Sequence, residues 1–156
     1  MLHRGGEDEQ AVTLVELAII TPVLFLLLFG IVELGRLMNA WVAVQHAAEL
    51  GARYAVTGRE MCSSGGSGRL SCVASEARLG LAHLPDGATA PVNVRSWAYP
   101  SYTVMTPNSA GQPCDAVEVE VQYTVRLVAP LIAALVPQVT LTGSQRFLNE
   151  PFGRCG

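Results

Sequence analysis

The chain has 156 residues, 50% of them hydrophobic and only 15% charged, with a formal net charge of -3. Ordinary soluble domains carry about 25% charged residues, so this one is too apolar for a disordered tail and unusual for a cytosolic enzyme. Every basic residue is arginine, and no cluster of them offers the positive surface that a dedicated nucleic-acid binder needs.

The apolar excess is concentrated near the N-terminus. From Leu17 to Val32 the sequence runs LAIITPVLFLLLFGIV without a charge, bracketed by Glu16 and Glu33. Extended back to Ala11, the segment holds a single carboxylate, and about 20 such residues cross a bilayer as a helix. A cleaved secretory signal fits less well. The start HRGGEDEQ sets one arginine against three acids, and no A-x-A motif follows the apolar run, which is also too long for a signal core. A retained membrane helix is the better reading.

That helix is expected to continue past the bilayer. LGRLMNAWVAVQHAAELGARYAV contains no proline, and Leu37, Trp41, Val44, Ala48, Ala52 and Ala55 recur at steps of three or four, one apolar stripe on a helix. Arg36, Asn39, Gln45, His46, Glu49 and Arg53 fall largely away from it. The uninterrupted pattern spans residues 12–57, a rod of roughly 70 Å. Less than half of that fits in lipid, so the rest must pack on a domain of the same chain or on neighbouring copies.

Thr57-Gly58 and the loop SSGGSG, flanked by Cys62 and Cys72, break the helix. Residues 73–84 suit a short helix ended by Pro85-Asp86-Gly87. Asp115 to Val128 then alternates: Val117, Val119, Val121, Tyr123, Val125 and Leu127 face one way, and Glu118, Glu120, Gln122, Thr124 and Arg126 the other. This is a half-buried antiparallel strand with a wet outer face. Residues 138–147 repeat the pattern with Val139, Leu141 and Phe147 inward, Val92 to Trp97 is a weaker strand, and APLIAALVP forms a short apolar turn between Pro130 and Pro137. The expected fold is α+β, a long N-terminal helix on a small antiparallel sheet of three or four strands. Its segments are a leader over 1–11, the helix over 12–57 and a small domain over 58–156.

All four cysteines (Cys62, Cys72, Cys114 and Cys155) follow the apolar span, an even number in a loop-rich domain that suits an oxidising compartment. Zinc is disfavoured because no C-x₂-C knuckle occurs. A thiol enzyme using His46 or His83 has no supporting motif, and G-x-S-x-G, H-E-x-x-H and P-loop patterns are all missing from the sequence. Three disulfide connectivities are open. Local closure of 62–72, with 114–155 tethering the tail to a strand edge, is preferred. No catalytic residue, metal or cofactor is expected.

The residues carry a family resemblance. Glu16-Leu17-Ala18, Pro22, Gly30-Ile31-Val32-Glu33-Leu34-Gly35-Arg36 and Ala47-Ala48-Glu49-Leu50-Gly51-Ala52-Arg53-Tyr54-Ala55 strongly resemble the TadE/TadG-like minor pilins of tight-adherence type IV pili, over roughly residues 10–57. The resemblance implies a structural, non-enzymatic pseudopilin. Its partners would be other pilin subunits, a prepilin peptidase, the inner-membrane assembly platform and the lipid bilayer, without nucleic acid. It places a peptidase cut between Ala11 and Val12, where the family usually has glycine before the cut and this chain has alanine.

Glu16 and Glu33 are about 25 Å apart along a helix, so composition alone reads them as two interfacial carboxylates bracketing a span. The resemblance instead makes Glu16 a registry residue that pairs with a neighbour's new amino terminus. Pro22 removes one helical hydrogen bond. Trp41 and Tyr54 are expected to be packing residues. Counting arginines on either side of the span, Arg4 against Arg36, Arg53 and Arg59, favours a cytoplasmic C-terminal domain. The cysteines and the resemblance outweigh that count, and the expectation is a single-pass bacterial membrane protein with its domain in the periplasm or outside.

Overall fold

A computed structural model describes residues 5–62, 65 and 67–155, without the side chains of 5–11, 130 and 131. Helix α1 runs over Gly5–Val56, 52 residues without a break, and so begins seven residues ahead of the expected start. Helix α2 covers Arg69–Leu79, and a 3₁₀ turn lies at Gly87–Thr89. Strands β1 (Val92–Trp97), β2 (Met105–Pro107) and β3 (Ala116–Arg126) follow, then the short helix α3 (Pro130–Leu135) and strand β4 (Gln138–Leu148). The sheet is antiparallel in the order β2-β1-β3-β4. This is the expected α+β arrangement, a long helix packed on a small sheet.

Alternation in β3 has the predicted effect. Val117, Val119, Val121, Tyr123, Val125 and Leu127 are all buried, because α1 and α2 cover that face. The opposite face carries Arg95, which pairs across the ladder with Glu118 at 2.9 Å and also with Glu120. Gln122, then burial, Asn93 and Arg95, act on the Glu120 carboxyl; the net effect holds it below its ordinary pKa, since hydrogen bonds to the carboxylate favour the charged form.

Close approach of α1 depends on small residues. Ala40, Ala43, Ala47, Ala48, Ala52 and Ala55 are buried with Val44. A Cβ on Gly143 would lie 2.8 Å from the Val44 carbonyl oxygen, and one on Gly51 would lie 2.9 Å from Ala77 Cβ and 3.0 Å from Val119. Thus α1 crosses β4 at Val44 and has moved over β3 by Gly51. That oblique path explains a correction: Phe147, expected inward, is 38% exposed. It pairs with Val117 on the covered side of the sheet, but β4 is the edge strand and the helix has already left it.

Three further boundaries differ from expectation. Helix α2 lies at 69–79 rather than 73–84, because the chain tightens after Arg78: Gly80, Leu81 and Ala82 donate to the carbonyls three residues back. A side chain at Gly80 would strike Ala47 Cα at 2.8 Å, so packing on α1 sets the stop there. Residues 130–135, expected as a turn, form α3 with proline in its first turn, where the missing N–H costs nothing. Strand β2, three exposed residues ending in proline, has no alternation to betray it and pairs only with β1.

Both disulfides close as preferred from the sequence, Cys62–Cys72 and Cys114–Cys155, with Cα separations of 4.7 and 5.5 Å.

Candidate assembly surface

Among the described residues, none covers the first half of α1. From Val12 to Val32 every large apolar side chain is exposed, including Leu17, Ile20, Phe25, Leu27 and Phe29. Such a helix is long and apolar enough to cross a membrane, since roughly 30 Å of helix matches the hydrocarbon thickness. Pro22 stands inside it, and the adjacent Thr21 hydroxyl donates to the Leu17 carbonyl at 2.6 Å. This back-bond adds a second donor to the Leu17 carbonyl and keeps the Thr21 hydroxyl paired in an apolar setting; the carbonyl that the proline leaves without its helical donor is that of Ala18. Glu16 lies within the same helix and is exposed. The helical backbone passes straight through Ala11 and Val12, so a peptidase acting there would need to unwind it; the Ala11 side chain lies outside the described residues.

Glu33 is 5% exposed, covered by the rest of the chain. Arg36 Nη1 donates to both its oxygens at 3.1 and 3.2 Å, and the Val128 backbone N–H donates to Oε1 at 3.2 Å. Its carboxylate therefore ties the top of the apolar span to the end of β3. Nothing in the local pattern pointed to a bond across ninety-five positions. Only the antiparallel run of β3 along α1 brings Val128 down to that level.

Beyond Glu33 the helix has two faces. One packs on the sheet and α2 and contains Leu37, Val44, Ala48, Ala52 and Ala55, as the stripe predicted. Trp41 does not belong to it: it is 48% exposed and joins Leu34, Met38 and Val42 on a second, uncovered apolar stripe. Their spacing of three and four places them on one side of the helix. Tyr54 is a packing residue as expected, half-buried against the core, with its hydroxyl donating to the Met61 carbonyl.

The other end of α1 is closed by residues that carried no motif. Arg69 donates to the Ala55 carbonyl from Nε and Nη2, at 3.2 and 2.7 Å, and to the Gly111 carbonyl at 2.6 Å, and its guanidinium lies 4.7 Å from the Phe152 ring centre. A cation here satisfies orphan carbonyls and complements the helix dipole. Burial lowers the Arg69 pKa, against the opposing pull of Asp115 and Glu60. Asp115 accepts the N–H groups of Tyr99 and Gln112 at 2.8 and 2.7 Å, and Asn149 donates to the carbonyls of Ala110 and Gln112 at 2.9 and 2.8 Å. This network seals the domain's far end without forming a reactive constellation. Among the described residues, no three His, Cys, Asp or Glu side chains converge to hold a metal.

Comparison with known families matches residues 11–53 to the TadE-like protein family. No curated protein and no solved structure matches the chain. The matched segment is α1 from its first apolar residues to Arg53, containing Glu16, Pro22, Glu33 and the uncovered stripe. The matched segment contains the part of α1 that is long and apolar enough to cross a membrane. Over residues 11–53, this chain is TadE-like.

Proposed function

We propose that this protein is a minor pilin of a tight-adherence pilus, held in the bilayer by α1 until that helix packs with other pilin helices to initiate or support a filament. One observation carries this reading: the uncovered stripe of Leu34, Met38, Trp41 and Val42 continues above the span. If Glu33 marks the hydrocarbon edge, Trp41 stands about 12 Å beyond it, at 1.5 Å per residue. The headgroup zone reaches only about 5–8 Å, so lipid does not cover Trp41. A neighbouring helix does. A membrane-anchored domain that never joined a filament would leave Trp41 and Val42, the upper end of this stripe, in water, an unfavourable place for adjacent large apolar groups.

Two disulfides in the domain support a periplasmic or extracellular location, since such bonds persist in oxidising compartments. A peptidase cut between Ala11 and Val12 would free the Val12 amine nearly one turn before Glu16. A neighbour's amine could then meet Glu16 in a medium of low dielectric, where losing one partner strands a charge. The prepilin peptidase and the inner-membrane assembly platform would be transient partners.

The test compares membrane abundance with pilus assembly in a strain whose pili depend on this protein. Trp41→Glu is expected to leave membrane insertion and the folded domain intact while abolishing incorporation, because Trp41 lies outside the buried core of the domain. Glu16→Ala is expected to do the same, with Glu16→Asp intermediate. Normal piliation with Trp41→Glu and with Glu16→Ala would overturn the filament reading in favour of a free-standing anchored domain.

A further inference from the structure

The tip between β3 and β4 is an apolar projection on a domain whose other surfaces are mixed. From Leu127 to Pro137 the sequence LVAPLIAALVP has no polar residue. Leu127 and Ala129 are buried, but Val128 is 67%, Leu135 85% and Val136 45% exposed. A soluble tip would ordinarily carry polar turn residues here. Exposed apolar groups gathered at one end of a domain mark a contact.

Position identifies what covers it. Val121 of β3 pairs with Gly143, and Gly143 sits against Val44 of α1. From that rung, five strand residues to Arg126 descend about 17 Å, and eleven helical residues to Glu33 descend about 16 Å. The two elements therefore reach the same level together, as the 3.2 Å hydrogen bond from the Val128 N–H to Glu33 confirms. The last sheet pair is Arg126 with Gln138, and Leu127 N–H closes the neck by donating to the Pro137 carbonyl at 3.1 Å. Residues 128–136 lie beyond that neck, on the side toward the uncovered apolar half of α1.

We propose that this tip is a second membrane contact. Val128, Leu135 and Val136 rest in the interfacial zone of the leaflet from which α1 emerges, and Glu33 holds them at that depth. The occupant is lipid, because the tip is continuous with the only stretch of the described chain that fits a bilayer, and apolar interfacial segments settle about 5–10 Å into the headgroup boundary. Two attachments, the apolar helix and the tip, orient the domain on the membrane and turn the Trp41 stripe in one direction. The proposal depends on the bilayer reading of α1.

The experiment uses the full chain in phosphatidylcholine–phosphatidylglycerol vesicles at low protein-to-lipid ratio. The four native cysteines are paired, so one added cysteine carries an environment-sensitive fluorophore at Leu135→Cys, at Val128→Cys as a second tip site, at Leu27→Cys within the span, or at Ser101→Cys in the loop at the far end. Spin-labelled lipids then quench by depth. The expected result is blue-shifted emission that loses most of its intensity to a shallow quencher at both tip sites. Leu27 should respond to a deep quencher and Ser101 to neither. Quenching at Leu27 with water-like, unquenched tip sites would overturn the second contact and leave the anchor standing. Blue-shifted but unquenched tip sites would assign the tip to another copy of the chain and equally overturn it. Absence of quenching at Leu27 would remove the anchor and the proposal with it.

Discussion

Glu33 shows what one carboxylate can do at a boundary between solvents. Its pairing with Arg36 is a partly exposed ion pair, since the Arg36 side chain is 44% exposed, and such pairs contribute little. The Val128 N–H is the more valuable partner, because a hydrogen bond to a charged acceptor contributes about 1.5–3 kcal/mol. Glu33→Ala is therefore expected to lower the domain's stability by about that amount, and to speed hydrogen exchange at the Val128 amide. Glu33→Gln keeps an acceptor oxygen and should recover most of the amide protection while losing the Arg36 pair. Hydrogen exchange on detergent-solubilised protein distinguishes the two; equal protection in both variants would remove Glu33 from this role. Trp41 makes the opposite point. Its spacing suited the core stripe, yet the helix turned it outward, because alanines at 40, 43, 47 and 48 occupy the sheet-facing surface and leave no room for an indole.

At the scale of elements, the clearest signals were those that burial enforces twice. Strand β3 is central, with neighbours on both edges and helices over one face, so its alternation is complete and its ends were readable. Strand β2 is an exposed three-residue edge with no inward face, and so no pattern to read. The disulfides act on elements in different ways. Cys62–Cys72 closes a separation of 10 residues at the start of α2, and Cys114–Cys155 closes 41 and binds the tail to the head of β3. In the chain-entropy account, longer loops give more stabilisation, a difference of about 1 kcal/mol here. Replacing the pair Cys114/Cys155 with serine is expected to cost more than replacing Cys62/Cys72, each within about 2–5 kcal/mol. Thermal unfolding of the two double variants checks the order, and free thiols in exported wild-type protein would contradict the pairing.

For the whole molecule, the decisive feature is a helix that belongs half to a domain and half to something outside it. Leu27 lies in the middle of the uncovered run, and Leu27→Arg is expected to impair insertion by about 2.5–3.5 kcal/mol on the translocon scale. Carbonate extraction of membranes reads the outcome, a shift of the variant to the soluble fraction. If wild-type protein were itself extracted by carbonate, the anchor would be wrong. The domain should be little affected, because no side chain between Val12 and Val32 is buried against it.

Local chemistry was enough to define the rod and the alternating strands, because each follows from periodicity along a short stretch. The cysteine pairing was a preference among three until the fold brought the partners together, and the TadE-like reading rested on resemblance. The apolar span in particular needs no tertiary context: a run of uncharged residues between Glu16 and Glu33 has few other places to go. Contacts between distant segments were decided only by the folded chain. The crossing of α1 from β4 to β3, set by Gly143 and Gly51, determined that Phe147 is left at the edge and that Trp41 faces outward. The antiparallel descent of β3 beside α1 brought Val128 to Glu33 and carried an apolar turn to the same level. Arg69, Asp115 and Asn149 became a seal at the other end for the same reason. A hydrogen bond between residues far apart in the chain leaves no periodic trace; it exists only once packing has fixed which ends of which elements meet.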